Sequence, residues 1–270
     1  MRLIRNVGFA VLMAGVLSMV PVRAEEPDEG MFDYDDVKDR WVQVEVGFHT
    51  SQLDGDLLLD RDVGDTKVDL DRTLDLDEDD GAIARLEVQP FEGSFFRFGA
   101  FGLEYGKTTR LRRSITVDGE TYSATDTVSS DLQLDTYEFG YRIDALSLGP
   151  LTLSPMLQAN LIDLDAEFKN RTTGQTVSED SLVPVPYPGL RAEFFPWARL
   201  GAYGEVKYIA GNTSDIDVSA RDFEAGVQLN LKPTYNLRVG YREFDYDVEF
   251  DETEADLNSS GPYATLLLNF

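Results

Sequence analysis

The chain has 270 residues, with 50 acids against 24 bases, a net charge of −26, one histidine and no cysteine. With no basic patch to neutralise phosphates, nucleic acid is excluded as a partner. Without cysteine there are no disulfides, no thiol catalysis and no thiolate metal sites, so stability must come from burial or from closed backbone pairing.

In chain order, residues 1–24 read as a secretory signal peptide. Arg2 and Arg5 precede an apolar run over 7–20, and Val22 and Ala24 place small residues before a cleavage point. The run is shorter than the roughly 20 residues a membrane-crossing helix needs. Removing the three arginines of this leader leaves −29 on the rest of the chain. Residues 25–40 hold eight acids and two bases with no alternation, and read as an acidic periplasmic leader.

From Trp41 onward the texture changes to alternating segments separated by turn chemistry. Ten strands are predicted, over 41–52, 81–90, 95–107, 131–144, 151–167, 182–195, 200–211, 220–232, 235–249 and 261–270. Tight connections at 91–94, 145–150, 196–199 and 233–234 alternate with longer ones at 53–80, 108–130, 168–181, 212–219 and 250–260. Short turns at one end and long polar loops at the other are the pattern of a transmembrane antiparallel up-and-down β-barrel, with the turns periplasmic. The expectation is all-β, ten strands, with eight as the alternative. The run "KVDLDRTLDLD" in the first loop also alternates, and reads as the second strand continuing above the membrane.

The faces can be assigned by parity. Phe223, Ala225, Val227, Leu229 and Leu231 oppose Asp222, Glu224, Gln228 and Asn230. Val44, Val46 and Phe48 oppose Glu45 and His49. A soluble barrel or sandwich would alternate too, but the apolar faces here carry small residues (Ala84, Ala100, Ala159, Ala192, Ala202, Ala225) that suit lipid better than a close-packed core. Trp41, Trp197, Tyr203, Tyr235 and Phe270 fall near strand ends, where an interfacial girdle would sit.

The sequence finishes "ATLLLNF", with Leu266, Leu268 and Phe270 on one parity. This pattern resembles the last strand of Gram-negative outer-membrane barrels, and the resemblance implies recognition by the barrel assembly machinery. Over 64–164, "VDLDRTLDLDEDDGAIARLEVQPF", "SITVDGETY" and "VSSDLQLDTYEFGYRIDAL" look like a family of small proteobacterial outer-membrane proteins of unestablished function. The resemblance bears on the fold and adds almost nothing on function.

Parity sends fourteen charges into the lumen: Arg85, Arg97, Arg142, Arg191, Lys207, Arg238 and Arg242 against Glu45, Glu87, Glu138, Glu193, Glu205, Asp222 and Glu224. Seven bases meet seven acids in a chain that is otherwise strongly acidic. A ten-stranded barrel leaves little more room than side chains fill, so the expectation is a paired network that closes the lumen.

Chemical candidates are few. His49, followed by Asp54 and Asp56, is the one residue that a rim-located hydrolase could use as a general base. The paired-aspartate and Asp-His motifs of outer-membrane proteases and a serine nucleophile context are absent. The acidic stretch Asp75, Asp77, Glu78, Asp79 and Asp80 fails the EF-hand register, since Gly81 falls at position seven. It leaves a weak site for calcium or magnesium bridging to lipopolysaccharide, and no cofactor is expected. The reading is a non-enzymatic envelope protein of the outer membrane with a structural or surface-loop binding role, contacting outer-membrane lipid and lipopolysaccharide. A narrow passive channel and a His49 hydrolase are the alternatives.

Overall fold

The computed structural model describes residues 41–58, 66–76, 78–117, 119–212, 216–250 and 253–270. The signal peptide and acidic leader expected over 1–40 lie outside them. Ten long strands are present: β1 (Val42–Leu58), β2 (Glu78–Phe91), β3 (Ser94–Arg110), β4 (Thr127–Ile143), β5 (Leu151–Asn170), β6 (Thr176–Trp197), β7 (Leu200–Asn212), β8 (Ile216–Lys232), β9 (Tyr235–Phe250) and β10 (Thr253–Asn269). Each pairs antiparallel with the next. β10 then returns to β1, with Val44 opposite Leu268 and Leu58 opposite Glu254. The protein is a closed ten-stranded up-and-down barrel of the transmembrane type. Closure leaves no sheet edge, which hydrocarbon requires because it offers backbone groups no hydrogen bonds.

The lower part of the wall is turned inside out relative to a soluble domain. Phe48, Phe139, Leu157, Val227, Val239 and Leu266 are among the apolar side chains exposed on the outer surface. Their inward neighbours are polar or charged and buried. All ten strands follow the expected parity, and Arg97 points inward between outward Phe96 and Phe98. Trp41, Phe91 and Trp197 are exposed at the turn end, as an aromatic girdle requires. Tyr203 does not join them: it faces inward and is buried.

Strand ends at the tight turns match the sequence expectation to within about two residues. At the other end the strands run further. The expected long loops at 168–181, 212–219 and 250–260 shrink to the connections 171–175, 213–215 and 251–252. β5 and β6 reach 20 and 22 residues, about twice the 9–11 needed to cross a bilayer. Pairing therefore continues past the lipid boundary, where residues such as Asp54, Glu104 and Asp131 face outward.

The first loop also departs from expectation. The run over 66–76 is a two-residue strand, Val68–Asp69, followed by one helical turn, Leu70–Leu74 (α1). The Asp69 side chain caps the turn, accepting the Arg72 N–H at 2.6 Å, and Asp75 closes it in the left-handed conformation. Leu70, Leu74 and Leu76 are buried. In the second loop, Ile115–Val117 and Glu120–Tyr122 form a small hairpin whose Ile115, Val117 and Tyr122 are buried in the same cluster.

That cluster fills the upper interior. Leu53, Leu57, Leu103, Tyr105, Leu132, Leu134, Ile162, Phe168, Tyr187, Phe244, Tyr246 and Leu257 point inward there beside the loop residues. The barrel thus has two storeys. Below, it is apolar outside and polar inside; above, it is polar outside and apolar inside. The physical reason is the surrounding solvent, hydrocarbon for one and water for the other.

Candidate functional site

The charged interior of the lower storey is assembled from eight of the ten strands. β2 carries Arg85 and Glu87 inward, β4 carries Glu138 and Arg142, and β8 carries Asp222 and Glu224. Glu45, Arg97, Glu193 with Arg191, Glu205 with Lys207, and Arg238 with Arg242 come from β1, β3, β6, β7 and β9. β10 adds Tyr263 and Thr265.

These groups form one continuous circuit. Arg85 donates from Nε to Glu138 at 3.0 Å and grips Glu224 with both terminal nitrogens, at 2.9 and 3.3 Å. Arg242 Nη2 lies 2.8 Å from both Glu138 and Asp222. Lys207 joins Asp222 at 2.8 Å to Glu205 at 3.1 Å. Glu205 accepts from Arg97 at 2.8 Å and from Arg191 at 3.1 Å. Arg97 continues to Glu87 at 2.8 Å, and Glu87 to Arg142 at 3.1 Å. Arg191 binds Glu193 at 2.8 Å; Arg238 spans from Glu193, at 3.8 Å, to Glu45, at 3.3 Å. Glu45 returns to Arg85 at 3.9 Å. All fourteen charges read as inward-facing are members. Asp144, the last residue of the fourth predicted strand and outside the inward set read from parity, adds an eighth acid by binding Arg142 at 2.9 Å.

The circuit is space-filling. A Cβ added at Gly99 would sit 2.6 Å from Glu138 Oε2 and 3.1 Å from Arg85 Cγ. One at Gly240 would meet the Tyr263 ring at 2.8 Å. Glycine at these inward positions makes room for the long side chains of neighbouring strands. Aromatic faces complete the packing: Arg142 lies 3.9 Å from the Phe95 centroid, Arg242 4.2 Å from Phe101 and Arg238 4.7 Å from Tyr203. Tyr263 donates to Glu224 at 2.6 Å and Thr265 to Glu45 at 2.7 Å, so the acids gain neutral donors as well. Buried charges need such completion, since taking each out of water costs several kcal/mol, about what good pairing returns.

His49 is part of this interior and not of a rim. It faces inward, 1% exposed, while Asp54 and Asp56 lie on the opposite, outward parity. The neighbouring carboxylate, Asp222, is already bound by Arg242 and Lys207. Of the acidic stretch, Asp75 is ion-paired to Lys107 at 3.0 Å. Asp79 accepts the Glu104 backbone N–H at 2.6 Å, and Asp80 accepts the Thr50 hydroxyl at 2.6 Å. Asp77 and the Glu78 side chain lie outside the described part of the structure. Among the described residues no group of three or more acids or histidines is arranged to hold a metal ion.

Leu266, Leu268 and Phe270 face outward at the β10–β1 seam. The Phe270 backbone closes that seam, donating to Val42 O at 2.9 Å and accepting from Trp41 and Val42 at 3.0 and 3.2 Å.

The apolar upper interior was not anticipated, yet the sequence carries a signal for it. On one and the same strand, an apolar residue facing out and one facing in stand at odd spacing. Phe98 and Phe101, Leu134 and Tyr137, Tyr187 and Leu190, and Tyr241 and Phe244 are each three apart, with one partner exposed and the other buried. Such a phase shift in the alternation marks where the surrounding solvent changes.

The sequence matches no protein-family model and no curated protein. Among solved structures it is similar to the outer membrane protease OmpT from Escherichia coli, with 11% identity, a TM-score of 0.54, and 86% of this chain and 97% of that one covered. It is also similar to Ail, the attachment invasion locus protein of Yersinia pestis, at 12% identity and TM-score 0.40 over 84% and 97% of the two chains. Neisserial surface protein A gives 12%, 0.36, 85% and 97%. At these identities the likeness speaks to fold, and the first of the three carries it: this chain shares the barrel architecture of outer-membrane proteins.

Proposed function

We propose that this protein is a non-enzymatic, non-conducting barrel of the bacterial outer membrane that acts through its extracellular end. The tight turns face the periplasm, and the loop end is presented above the lipopolysaccharide. The observation that carries this reading is the sealed interior. A circuit of seven bases and seven acids, thirteen of the fourteen buried, spans the lower storey, and an apolar layer closed by α1 and the second-loop hairpin fills the upper one. An ion entering from outside would have to shed its water in the apolar layer and then break buried pairs, at a cost of many kcal/mol. The protease activity of the fold neighbour has no support in the placement of His49, which lies under that layer.

Planar-bilayer recording on refolded protein tests the reading. The expected result is no stepwise conductance at 1 M KCl. A steady open level that responds to substitution of Arg85 or Arg97 would overturn it.

A further inference from the structure

The extracellular end carries a cleft of about 390 Å³ between α1 and the top of β3. Arg72, Arg110, Arg112 and Arg113 line it, with Asp69, Asp75, Thr73 and Thr109 between them. The chain holds 24 bases against 50 acids, and the lumen takes seven of those bases. Four arginines around one cleft therefore reverse the local sign of an acidic surface.

Their partners within the protein do not neutralise them. Arg113 donates to the Thr73 hydroxyl at 3.1 Å and Arg110 to the Thr125 carbonyl at 3.1 Å, both uncharged acceptors. Arg72 approaches Asp69 only to 3.8 Å, while Asp69 spends its other oxygen on the helix cap. Asp75 is bound by Lys107. Arg112 is exposed on the same wall. Clustered guanidiniums repel one another until an oxyanion joins them, and their planar forks match phosphate and sulfate oxygens. The volume lies in the range of small-ligand sites and is too large for an inorganic ion alone. The Asp69 carboxylate would repel a second oxyanion but accept a hydroxyl proton, and the Thr73 and Thr109 hydroxyls can pair with either group. A ligand that satisfies both sets carries charge on one side and hydroxyls on the other.

We propose that this cleft binds a phosphate- or sulfate-bearing saccharide. The proposal rests on the reading of the loop end as the working face. The test measures fluorescence polarisation of a labelled, fully sulfated tetrasaccharide on refolded full-length barrel in detergent, with glucose 1,6-bisphosphate as competitor. Arg112→Ala/Arg113→Ala is expected to weaken binding by about tenfold or more. Lys169→Ala/Arg171→Ala, two bases elsewhere on the extracellular rim, should leave it unchanged, and unboiled gel mobility establishes that each variant is folded. Added lipopolysaccharide separates two sources of the same chemistry. Competition identifies the membrane's own saccharide, and indifference an external one; either supports the site. Equal affinity of the arginine variant, or equal loss in the control, overturns it. Neither of those results touches the non-conducting reading, which falls only on conductance.

Discussion

Arg85 and Glu224 are joined across the lumen, from β2 to β8, by a two-pronged contact at 2.9 and 3.3 Å. The strands are not neighbours in the barrel, so the pair ties opposite walls together. Arg85→Ala would leave Glu138 and Glu224 short of their counter-charge in a buried site. The expected loss is about 3–5 kcal/mol, read as a lower urea midpoint for unfolding of the refolded barrel. Arg85→Met with Glu224→Leu should cost less than Arg85→Ala alone, because it removes both charges and keeps the volume. A double variant weaker than the single would refute the view that unpaired charge is the main penalty.

The α1 plug should detach without unfolding the barrel. Leu70 and Leu74 are fully buried, but the ladder of the barrel wall does not pass through them. Leu70→Ala/Leu74→Ala removes packing worth about 2–5 kcal/mol per site from a segment that can open locally. Trypsin should then cut after Arg72 many times faster, while the thermal midpoint of the barrel stays within a few degrees. A large fall in that midpoint would mean that the plug and wall form one cooperative unit.

Above the membrane, Asp256 stands opposite Asp247 on β9 and Asp56 on β1. Partial burial, then Asp247, Asp245 and Asp56, hold its carboxyl above the ordinary aspartate range, against the pull of Lys67. The folded rim therefore binds this proton more tightly than the unfolded chain does. The penalty is in force at neutral pH and is relieved as pH falls through the raised value towards about 3.9. Asp256→Asn should slow amide exchange around 255–258 at pH 7, and the gain should vanish near pH 4. A gain that grows on acidification has the wrong sign for this account.

Phe270→Ala keeps the seam hydrogen bonds of the backbone and removes only an outward ring. If that ring is what the barrel assembly machinery recognises, membrane-inserted protein in cells should fall severalfold while refolding into detergent is unaltered. Equal losses in both settings would assign the ring to barrel stability instead.

The membrane storey was legible in the sequence because its signals are local. Gly93, Gly149 and the Pro233–Thr234 pair punctuate the tight turns, and strict alternation then sets which side faces lipid. The fourteen lumen charges follow from parity alone. The upper storey was less legible because the alternation reverses phase part-way along each strand, so a strand read from end to end presents no single apolar face. α1 was misread for a specific reason. Leu70 and Leu74 are four apart, a spacing that shares one face of a strand and also one face of a helix. The Asp69 cap on the Arg72 N–H decides between them, and that bond is invisible to a hydrophobic pattern. The arginine cleft escaped because Arg72 and Arg110–Arg113 belong to different loops, brought together only when α1 folds back into the mouth.

The inversion between storeys acts as a depth mark. Sliding the barrel down would carry outward carboxylates towards hydrocarbon, beginning with Asp135 and Asp163, which stand opposite each other one outward step above Tyr137 and Leu161. Sliding it up would strip oil from Tyr137 and Leu161. Near the interface each outward carboxylate costs at most about 1 kcal/mol, but the strands are penalised together. The molecule is therefore moored at one height, and any ligand held in its mouth is kept at a constant distance from the bilayer surface.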